Sequence, residues 1–394
     1  MFTLGRRFPL SNVQNIRNIF TWFSRKFPVE APQTTLVFVE EVRRFIQECV
    51  CRVGVSQKKS RSIADFLLAA DYRGVNGSGL NRLEMYLNDI HKRNVNIEAE
   101  PSVIKETASF AHVNGNSALG VTVGNFCIDL AVEKARNAGI GLVVAKQSHH
   151  FGMAAWYVSR AMAHGYIGLV LSNGPPQLMS PGVQTSSLGA NCIAFGAKGL
   201  HTHFLLDIAM SVKDIGAIEW AYLLGEGIPD SWAADKRGLP TSVADVAICA
   251  QRLFPAGEHK GYCMAAMIDL LCGVMSGAGY STHIPSSWSD SKSTNSNLGQ
   301  IYIAIDPQFF LPDFEERLED FNQTIKYSCP IDELDPVKIP GDIEKQHMQY
   351  VRDLRALPYP NALLMKYQVI ADLLCVKPIQ VAFNYPEKTK HYSE

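Results

Sequence analysis

The chain has 394 residues, enough for two or three domains or one large α/β unit with a substantial core. It is 47% hydrophobic and 19% charged, which excludes a wholly disordered, collagen-like or coiled-coil chain. Its 37 Lys and Arg residues nearly balance 38 Asp and Glu residues, and a net charge of −1 argues against a nucleic-acid-binding protein. No apolar run reaches the roughly 18–20 residues of a membrane helix, so we expect no membrane span.

The near-neutral balance conceals a basic N-terminal segment. Residues 1–29 contain five basic residues and no acidic residue, with Phe, Ile and Trp between them. This pattern is typical of a mitochondrial presequence, and the alternative is an extension without a targeting role. The nine cysteines include no CxxC pair, and no secretory signal precedes them. Free thiols in a reducing compartment are therefore expected, in the mitochondrial matrix or the cytoplasm.

Amphipathic helices are predicted for the first part of the chain after residue 33. Residues 37–54 place apolar side chains on one helix face and end at Gly54. A second helix is predicted from the N-cap Ser56 to Gly74, and a third over residues 80–94.

From residue 121 the sequence changes to helical stretches that alternate with short β-branched runs. This alternation predicts a layered α/β domain whose strands are buried on both faces. The predicted helices are 128–139, 154–165 and a buried one at 261–277, and the predicted strands are 140–147, 166–173 and 298–306. Amphipathic helices return after Pro312.

This order of elements predicts one discontinuous helical domain, built from both ends of the chain, around a central α/β domain. The predicted divisions are a basic leader at 1–33, a helical domain at 34–115 plus 325–380, an α/β cofactor-binding domain at 116–324 and a tail at 381–394.

The common nucleotide and hydrolase motifs are missing from the sequence. It contains no GxGxxG after a strand, no GxxxxGK[ST], no GxSxG and no HExxH. His201 and His203 would share one face of a strand, but no third ligand stands nearby at a clear spacing. We therefore predict no metal site.

Polar residues follow two of the predicted strands directly. Ser148, His149 and His150 come after residues 140–147, and Asn173 and Gly174 lie at the end of the strand predicted over residues 166–173. Reactive groups of α/β proteins concentrate at such strand ends, where helix N-termini and backbone N–H groups converge. A capping Ser or a satisfied core His would explain any one of them alone, so the prediction of a site depends on their recurrence.

Two further segments carry notable polar residues. In one, burial of the polar side chains costs free energy, and in the other, glycines flank the polar residues. Asp207 and Ser211 lie in an apolar, strand-like run, where an uncompensated carboxylate is expensive. His259 and Lys260 open the predicted buried helix between glycines that allow a ligand close to the backbone.

In these segments the chain resembles the malate/L-lactate dehydrogenase family, whose members are distinct from the Rossmann-type lactate and malate dehydrogenases. The resemblance covers residues 36–375 and includes, in order, DYRGVNGSGLNRLEMYL, SHHFGMAAWY, SNGPP, LGANCIAFG, DIAMS, IPDSWAADKRGLPT, GEHKGY and KIPGD. It implies a central layered α/β nucleotide-binding domain of non-Rossmann type, NAD or NADP as cofactor, a small-molecule carboxylate substrate and a homodimer.

The resemblance implies roles for particular residues of this chain. Reduction of a 2-oxo acid needs a proton donor near the carbonyl oxygen, and a carboxylate substrate favours Arg. By resemblance, His150 is the active-site histidine and Arg82 lies near the substrate, with Ser78 beside them. The resemblance also implies a set of cofactor-contacting residues: Asn173, Gly174, Asp207, Ala209, Met210, Ser211, Lys260, Gly341 and Asp342.

The chain departs from the family pattern around this same site. Family members read RGHxSHGVxR where this chain reads RGVNGSGLNR, so the Ser-His pair falls on Gly77 and Ser78 and the first His on Val75. A Ser hydroxyl is too weak an acid to protonate an alkoxide near neutral pH. Three further departures are Asn114 for Asp, Cys192 for Pro and Ala217 for Lys.

Three hypotheses remain open from the sequence. The first is an NAD(P)-dependent oxidoreductase for a small 2-hydroxy/2-oxo acid or related imino acid, in which His150 acts with Ser78 or water; His149 would be a substitute for the lost His if it swings in. The second is a pseudoenzyme that keeps the fold and cofactor binding without turnover. The third is an interaction protein that binds no dinucleotide.

Overall fold

The computed structural model describes residues 34–285, 296–332 and 336–384, so the predicted leader and most of the predicted tail lie outside it. The strands are β1 Thr34–Phe38, β2 Ser102–Glu106, β3 Phe110–Asn114, β4 Ile140–Ser148, β5 Ile167–Ser172, β6 Pro176–Met179, β7 Ser186–Gly189, β8 Cys192–Lys198, β9 His203–Ala209, β10 Leu298–Ile305, β11 Ala356–Pro360 and β12 Phe383–Asn384. The helices are α1 Val39–Arg52, α2 Gln57–Tyr72, α3 Leu83–His91, α4 Gly120–Ala138, α5 Ala155–Ala163, α6 Ile215–Leu224, α7 Ala244–Ala250, α8 His259–Asp269, α9 Phe314–Lys326, α10 Asp342–Leu354 and α11 Asn361–Leu374.

The first predicted helix begins later than its sequence pattern indicated. Residues 34–38 form β1, which pairs with β11 and β12, and Val37 lies opposite Leu357 instead of on a helix. Pairing with strands far along the chain overrides the local helical pattern here. The spacing of apolar residues within 37–54 does not reveal this pairing. The second helix does begin after Ser56, whose Oγ accepts a bond from the Lys59 N–H at 3.4 Å. Gly74, with φ +79°, follows its end.

The main sheet has seven strands in the order β2-β3-β4-β10-β5-β8-β9. Only β3 and β4 pair in parallel, and every other pair of neighbours is antiparallel. Because β10 runs antiparallel to both β4 and β5, these two strands point the same way, and β9 joins them through β8. The C-terminal ends of β4, β5 and β9 therefore meet at one edge of the sheet, where the sequence placed its polar residues.

Helices α1, α2 and α11 share one hydrophobic core with α4, α5 and a face of the main sheet. Residues 102–114, which the sequence division assigned to the helical domain, form β2 and β3 of this sheet. Of the helices that the structure describes, none is long and apolar enough to cross a membrane.

The helix predicted to be buried at residues 261–277 is only half buried. It consists of α8 and a π-helical turn at Leu270–Val274. Its inner side is covered, but its outer side exposes a row of apolar side chains: Met264, Met267, Leu270, Val274 and Met275. The prediction of a buried helix was wrong because apolar composition all around a helix does not distinguish a covered face from one that the described residues leave uncovered.

An aromatic cluster anchors the turn between β4 and α5. The Tyr157 ring stacks on Phe151 with centroids 4.9 Å apart and meets Tyr302 edge-on at 5.7 Å. The Tyr157 hydroxyl donates to the Phe151 carbonyl at 2.8 Å. The cluster therefore fixes the backbone immediately after His150.

We predict that Tyr157→Phe lowers the free energy of unfolding by about 1 kcal/mol, because the buried Phe151 carbonyl loses its donor. Urea unfolding measures this change, and Tyr327→Phe, at an exposed ring, is the control. A loss no larger than that of the control would contradict the proposed anchoring.

Candidate active site

A cavity of about 260 Å³ lies at the sheet edge where β4, β5 and β9 end. A 3₁₀ turn at Asn76–Ser78 and the N-terminus of α6 close its other side. Seven of the predicted site residues line it: Ser78, Arg82, His150, Asn173, Gly174, Asp207 and Ala209. The other five, Met210, Ser211, Lys260, Gly341 and Asp342, do not.

The two adjacent histidines have different surroundings. His150 lines the cavity, and its Nδ1 is 2.8 Å from the Tyr86 hydroxyl. Burial, the larger cause, and the nearby Arg82 charge together lower the pKa of His150 to about 3. His149 is buried with its Nδ1 2.9 Å from Ser296 Oγ and does not line the cavity. The structure thus brings a neutral His150 to the site and does not bring His149 to Ser78.

Arg82 is already engaged by a carboxylate. Its Nη2 lies 2.6 Å from Glu219 Oε2, and its Nε donates to the Gly77 carbonyl at 2.6 Å. Burial lowers the pKa of Arg82, but the Glu219 carboxylate, with further contributions from Asp214 and Tyr86, raises it, and the net shift of the pKa is upward. A substrate carboxylate would therefore share Arg82 with Glu219.

The turn that carries Ser78 packs tightly against α6. A Cβ atom on Gly77 would lie 2.7 Å from the backbone carbon of Gly216, so the close approach needs glycine here. The family motif has Ser at this position. The Gly that replaces this Ser has no Cβ atom and therefore lets the turn contact the helix.

Asp71 holds the far side of the same loop. Its Oδ2 accepts bonds from the Leu80 N–H at 2.8 Å and the Tyr359 hydroxyl at 2.7 Å, and the Leu80 carbonyl accepts from Tyr367. Burial raises the pKa of Asp71 to about 7.

Asp207 faces the cavity from the end of β9. Its Oδ2 accepts a bond from the Ala155 N–H at 2.7 Å, at the N-terminus of α5. The pKa of Asp207 is raised to about 7, mainly by burial, and the nearby carboxylates Glu344 and Asp214 contribute to the rise. The helix N-terminus explains how an apolar strand tolerates this side chain.

Asn173 and Gly174 directly follow the end of β5. The Asn173 amide donates to the Gly279 carbonyl at 2.8 Å and accepts from the Gly299 N–H at 2.9 Å, so it joins β5 to the start of β10. Asn191 Oδ1 accepts from the Gly174 N–H at 3.1 Å. A Cβ atom on Gly174 would meet nothing within 4 Å, so its backbone borders open space.

The predicted residues outside the cavity have other surroundings. Gly341, with φ +100°, precedes α10, and Asp342 bonds the Ile339 N–H and pairs with Lys326 at 2.8 Å. Ser211 Oγ is buried and has no hydrogen-bond partner within the part of the chain described.

Sequence reasoning missed two residues of the site. Tyr86 follows Arg82 by one helical turn, a spacing that places both on one helix face and so was a usable signal. Glu219 lies in α6, more than a hundred residues away, and nothing in the sequence linked it to Arg82. Within residues 34–285, 296–332 and 336–384, no group of three His, Cys, Asp or Glu side chains is placed to hold a metal.

Comparisons with known proteins show the family to which this chain belongs. The family model for malate/L-lactate dehydrogenase matches residues 37–366. The chain belongs to this family. It is 33% identical to malate dehydrogenase of Pyrococcus horikoshii over 76% of this chain and 84% of that protein. The structure of that protein superimposes with a TM-score of 0.80 over 90% of this chain and 99% of the other, at 30% identity.

Two more relatives carry different substrate names. The chain is 32% identical to L-sulfolactate dehydrogenase of Methanothermobacter thermautotrophicus, over 79% of this chain and 89% of that protein. It is 28% identical to ureidoglycolate dehydrogenase (NAD(+)) of Escherichia coli, over 77% and 86%. The predicted family and α/β fold class are confirmed.

We predict that Asp71→Asn stabilises the protein relative to the parent more at pH 8 than at pH 5. The folded-state pKa is about 7 and the unfolded value is near 4, so the carboxyl progressively destabilises the fold as pH rises between these values. The amide does not ionise. The difference in free energy of unfolding, variant minus parent, should increase by more than about 1 kcal/mol. Urea unfolding at both pH values measures it, and a flat or falling difference would refute the assignment.

Proposed function

We propose that the protein is an NAD(P)-dependent oxidoreductase that transfers a hydride between a nicotinamide cofactor and a small 2-hydroxy/2-oxo acid or related imino acid. The observation that carries this proposal is the convergence of His150, Arg82 and Asp207 on one cavity at the sheet edge. The family membership and the names of the relatives support the same reaction class.

The residues at the sheet edge fit a dinucleotide. Gly174 presents backbone beside open space, and Ser211 keeps a buried hydroxyl without a partner among the residues described, as a bound polar ligand would require. Asn173, Gly174, Asp207 and Ala209 would hold the cofactor at the cavity, with Met210, Ser211 and Lys260 beyond it. When bound, the cofactor supplies or accepts the hydride.

His150 and Arg82 have separate tasks in this proposal. A neutral His150, held at Nδ1 by Tyr86, orients the reacting oxygen or nitrogen of the substrate by a hydrogen bond. Arg82 attracts the substrate carboxylate, which shares the guanidinium of Arg82 with the Glu219 carboxylate. Ser78 lies in the cavity where the family motif has its second His, so Ser78 or water completes the proton relay at this position.

A pseudoenzyme is the second candidate, and a specific contact favours it. The 2.6 Å pair between Arg82 and Glu219 occupies the cation that a substrate carboxylate needs. A protein that binds the cofactor without turnover would keep the cofactor-contacting residues at the strand ends and lose the recognition of the substrate carboxylate by Arg82.

We further propose that the protein works in the mitochondrial matrix or the cytoplasm. All nine cysteines lie within the described residues and all are free, as expected in a reducing compartment. The basic leader that suggests the matrix lies outside those residues.

We also propose a homodimer, formed through the exposed face of α8 and the π-helical turn. Met264, Met267, Leu270 and Val274 follow one another at spacings of three or four residues, so they share one side of the helix. A contiguous apolar surface of this kind marks an interaction site, and a second copy would bury it.

The proposed reaction is tested by measuring binding of NADH and NADPH by fluorescence and their oxidation with a panel of 2-oxo and cyclic imino acids. Binding with turnover supports the oxidoreductase, and binding without turnover supports the pseudoenzyme. Absence of binding would contradict both.

We predict that Ser78→His raises the rate of 2-oxo acid reduction by about a hundredfold, because it supplies a positioned proton donor. Cofactor affinity, measured in parallel, should stay unchanged. An unaltered rate would show that the missing donor does not limit the reaction.

We predict that Leu270→Glu converts the dimer to monomer, because it places a charge in the apolar interface. Sedimentation velocity measures the oligomeric state, and Val183→Glu, an exposed apolar position on the β6–β7 loop, is the matched control. A monomeric parent protein, or a dimeric Leu270→Glu variant, would contradict the proposed interface.

A further inference from the structure

Two arginines line the cavity, and they differ in their partners. Arg82 lies 2.6 Å from Glu219 Oε2, so a carboxylate balances its charge. Arg73, which directly follows α2, forms no ion pair with any residue that the structure describes. Within that part of the chain its guanidinium makes one hydrogen bond, a long one of 3.4 Å from Nη1 to the Ala69 carbonyl. Arg73 therefore keeps most of its five N–H donors for a ligand.

The pKa values of the two arginines show the same difference. Burial lowers the pKa of Arg73, and the charges of Asp207 and Glu344 raise it without offsetting the effect of burial. The net shift for Arg82 is upward, because Glu219 is in direct contact with it. The pKa of Asp207 is itself raised to about 7, so near neutral pH this carboxyl carries only part of its charge. Arg73 is thus a partly buried cation whose charge the neighbouring acids compensate incompletely.

Arg73 lies on the side of the cavity that the proposed function assigns to the cofactor. The two acids that act on its pKa are Asp207, at the end of β9, and Glu344, in the first turn of α10. Both line the cavity. Arg82 instead bonds the Gly77 carbonyl and Glu219, on the wall formed by the 3₁₀ turn and α6. The surroundings of the two arginines therefore fit two different ligands.

The turn between β4 and α5 offers further donors beside Asp207. Its Gly152 and Met153 line the cavity, and their backbone N–H groups donate to no residue that the structure describes. The next N–H along the cavity wall, that of Ala155, bonds Asp207 at 2.7 Å, which places the turn on the same side. Successive backbone N–H groups and a guanidinium together favour an anion with several oxygen atoms.

We propose that Arg73 binds a phosphate group of the nicotinamide dinucleotide. The cofactor carries a pyrophosphate in both NAD and NADP, and a 2′-phosphate in NADP alone. The planar guanidinium can pair with two oxygens of either phosphate, which a neutral donor at this position could not match in strength. Arg82 then remains for the substrate carboxylate, so each arginine of the cavity serves one of the two anionic reactants. This inference rests on the proposed function.

The test measures the Kd of NADH and of NADPH by fluorescence titration for the full-length parent protein and for Arg73→Gln. We expect the variant to raise the Kd of at least one cofactor by about tenfold or more, because it removes a charge-assisted hydrogen bond. A rise for both cofactors would assign Arg73 to the pyrophosphate, and a rise for NADPH alone would assign it to the 2′-phosphate. Arg61→Gln removes the same charge from an exposed position of α2 and, as the matched control, should change neither Kd.

Unchanged Kd values for both cofactors in a folded Arg73→Gln protein would overturn the inference and leave the proposed function standing. A higher KM for a 2-oxo acid together with unchanged cofactor affinity would also overturn it, since Arg73 would then bind the substrate. Absence of cofactor binding by the parent protein would instead overturn the proposed function, and the inference with it.

A second variant keeps the test decisive if the first does not fold, which thermal unfolding checks. Arg73→Lys keeps the charge but lacks the planar fork that pairs with two phosphate oxygens. It should raise the Kd of the same cofactor severalfold, less than Arg73→Gln does. An unchanged Kd in a folded Arg73→Lys protein, where Arg73→Gln does not fold, would overturn the assignment to Arg73.

Discussion

The site depends on one buried carboxylate, that of Asp71, at the end of α2. It receives the Leu80 N–H at 2.8 Å and the Tyr359 hydroxyl at 2.7 Å, so it ties the loop before α3 to a strand near the C-terminus. A Cβ atom on Gly79 would lie 1.8 Å from Asp71 Oδ1, which shows how closely the loop wraps around the carboxyl. Burying an acid is costly, and its raised pKa records that cost. In return, one hydrogen bond within the loop and one from a residue 288 positions away hold the loop in place.

A fixed loop matters because the opposite wall of the cavity is rigid as well. β10 runs between β4 and β5 and aligns their C-terminal ends, and Asn173 bonds β5 to β10 across that edge. The loop at residues 75–82 is held on one side by Asp71 and on the other by contact of Gly77 with Gly216. The cavity thus lies between two walls from distant parts of the chain, and the distance between its reacting groups is set by packing.

The sequence predicted most of the helices, the strands β4, β5 and β10, and the edge of the sheet where the site lies, because local periodicity reports such elements directly. It placed His150 and Asn173 at the ends of predicted strands and Asp207 within an apolar, strand-like run, and the structure brings the three to one cavity. It could not predict β1, whose pairing with β11 depends on residues more than three hundred positions away. It also could not predict Glu219 as the partner of Arg82, because an ion pair across separate elements leaves no periodic signal. The exposed face of α8 was misjudged because composition does not tell which apolar surface its own chain covers.

The charge of Arg82 links the remaining features of the cavity. Together with burial it keeps His150 neutral, and a neutral imidazole serves as a hydrogen-bonding group and not as a strong acid. The same charge holds Glu219, and the Gly77 carbonyl accepts from Arg82 Nε at 2.6 Å, which adds the loop to the arrangement. A second cation at position 78 would lie near this guanidinium and weaken its pairing with Glu219. Loss of the motif histidine and retention of the Arg82–Glu219 pair are therefore physically consistent with each other.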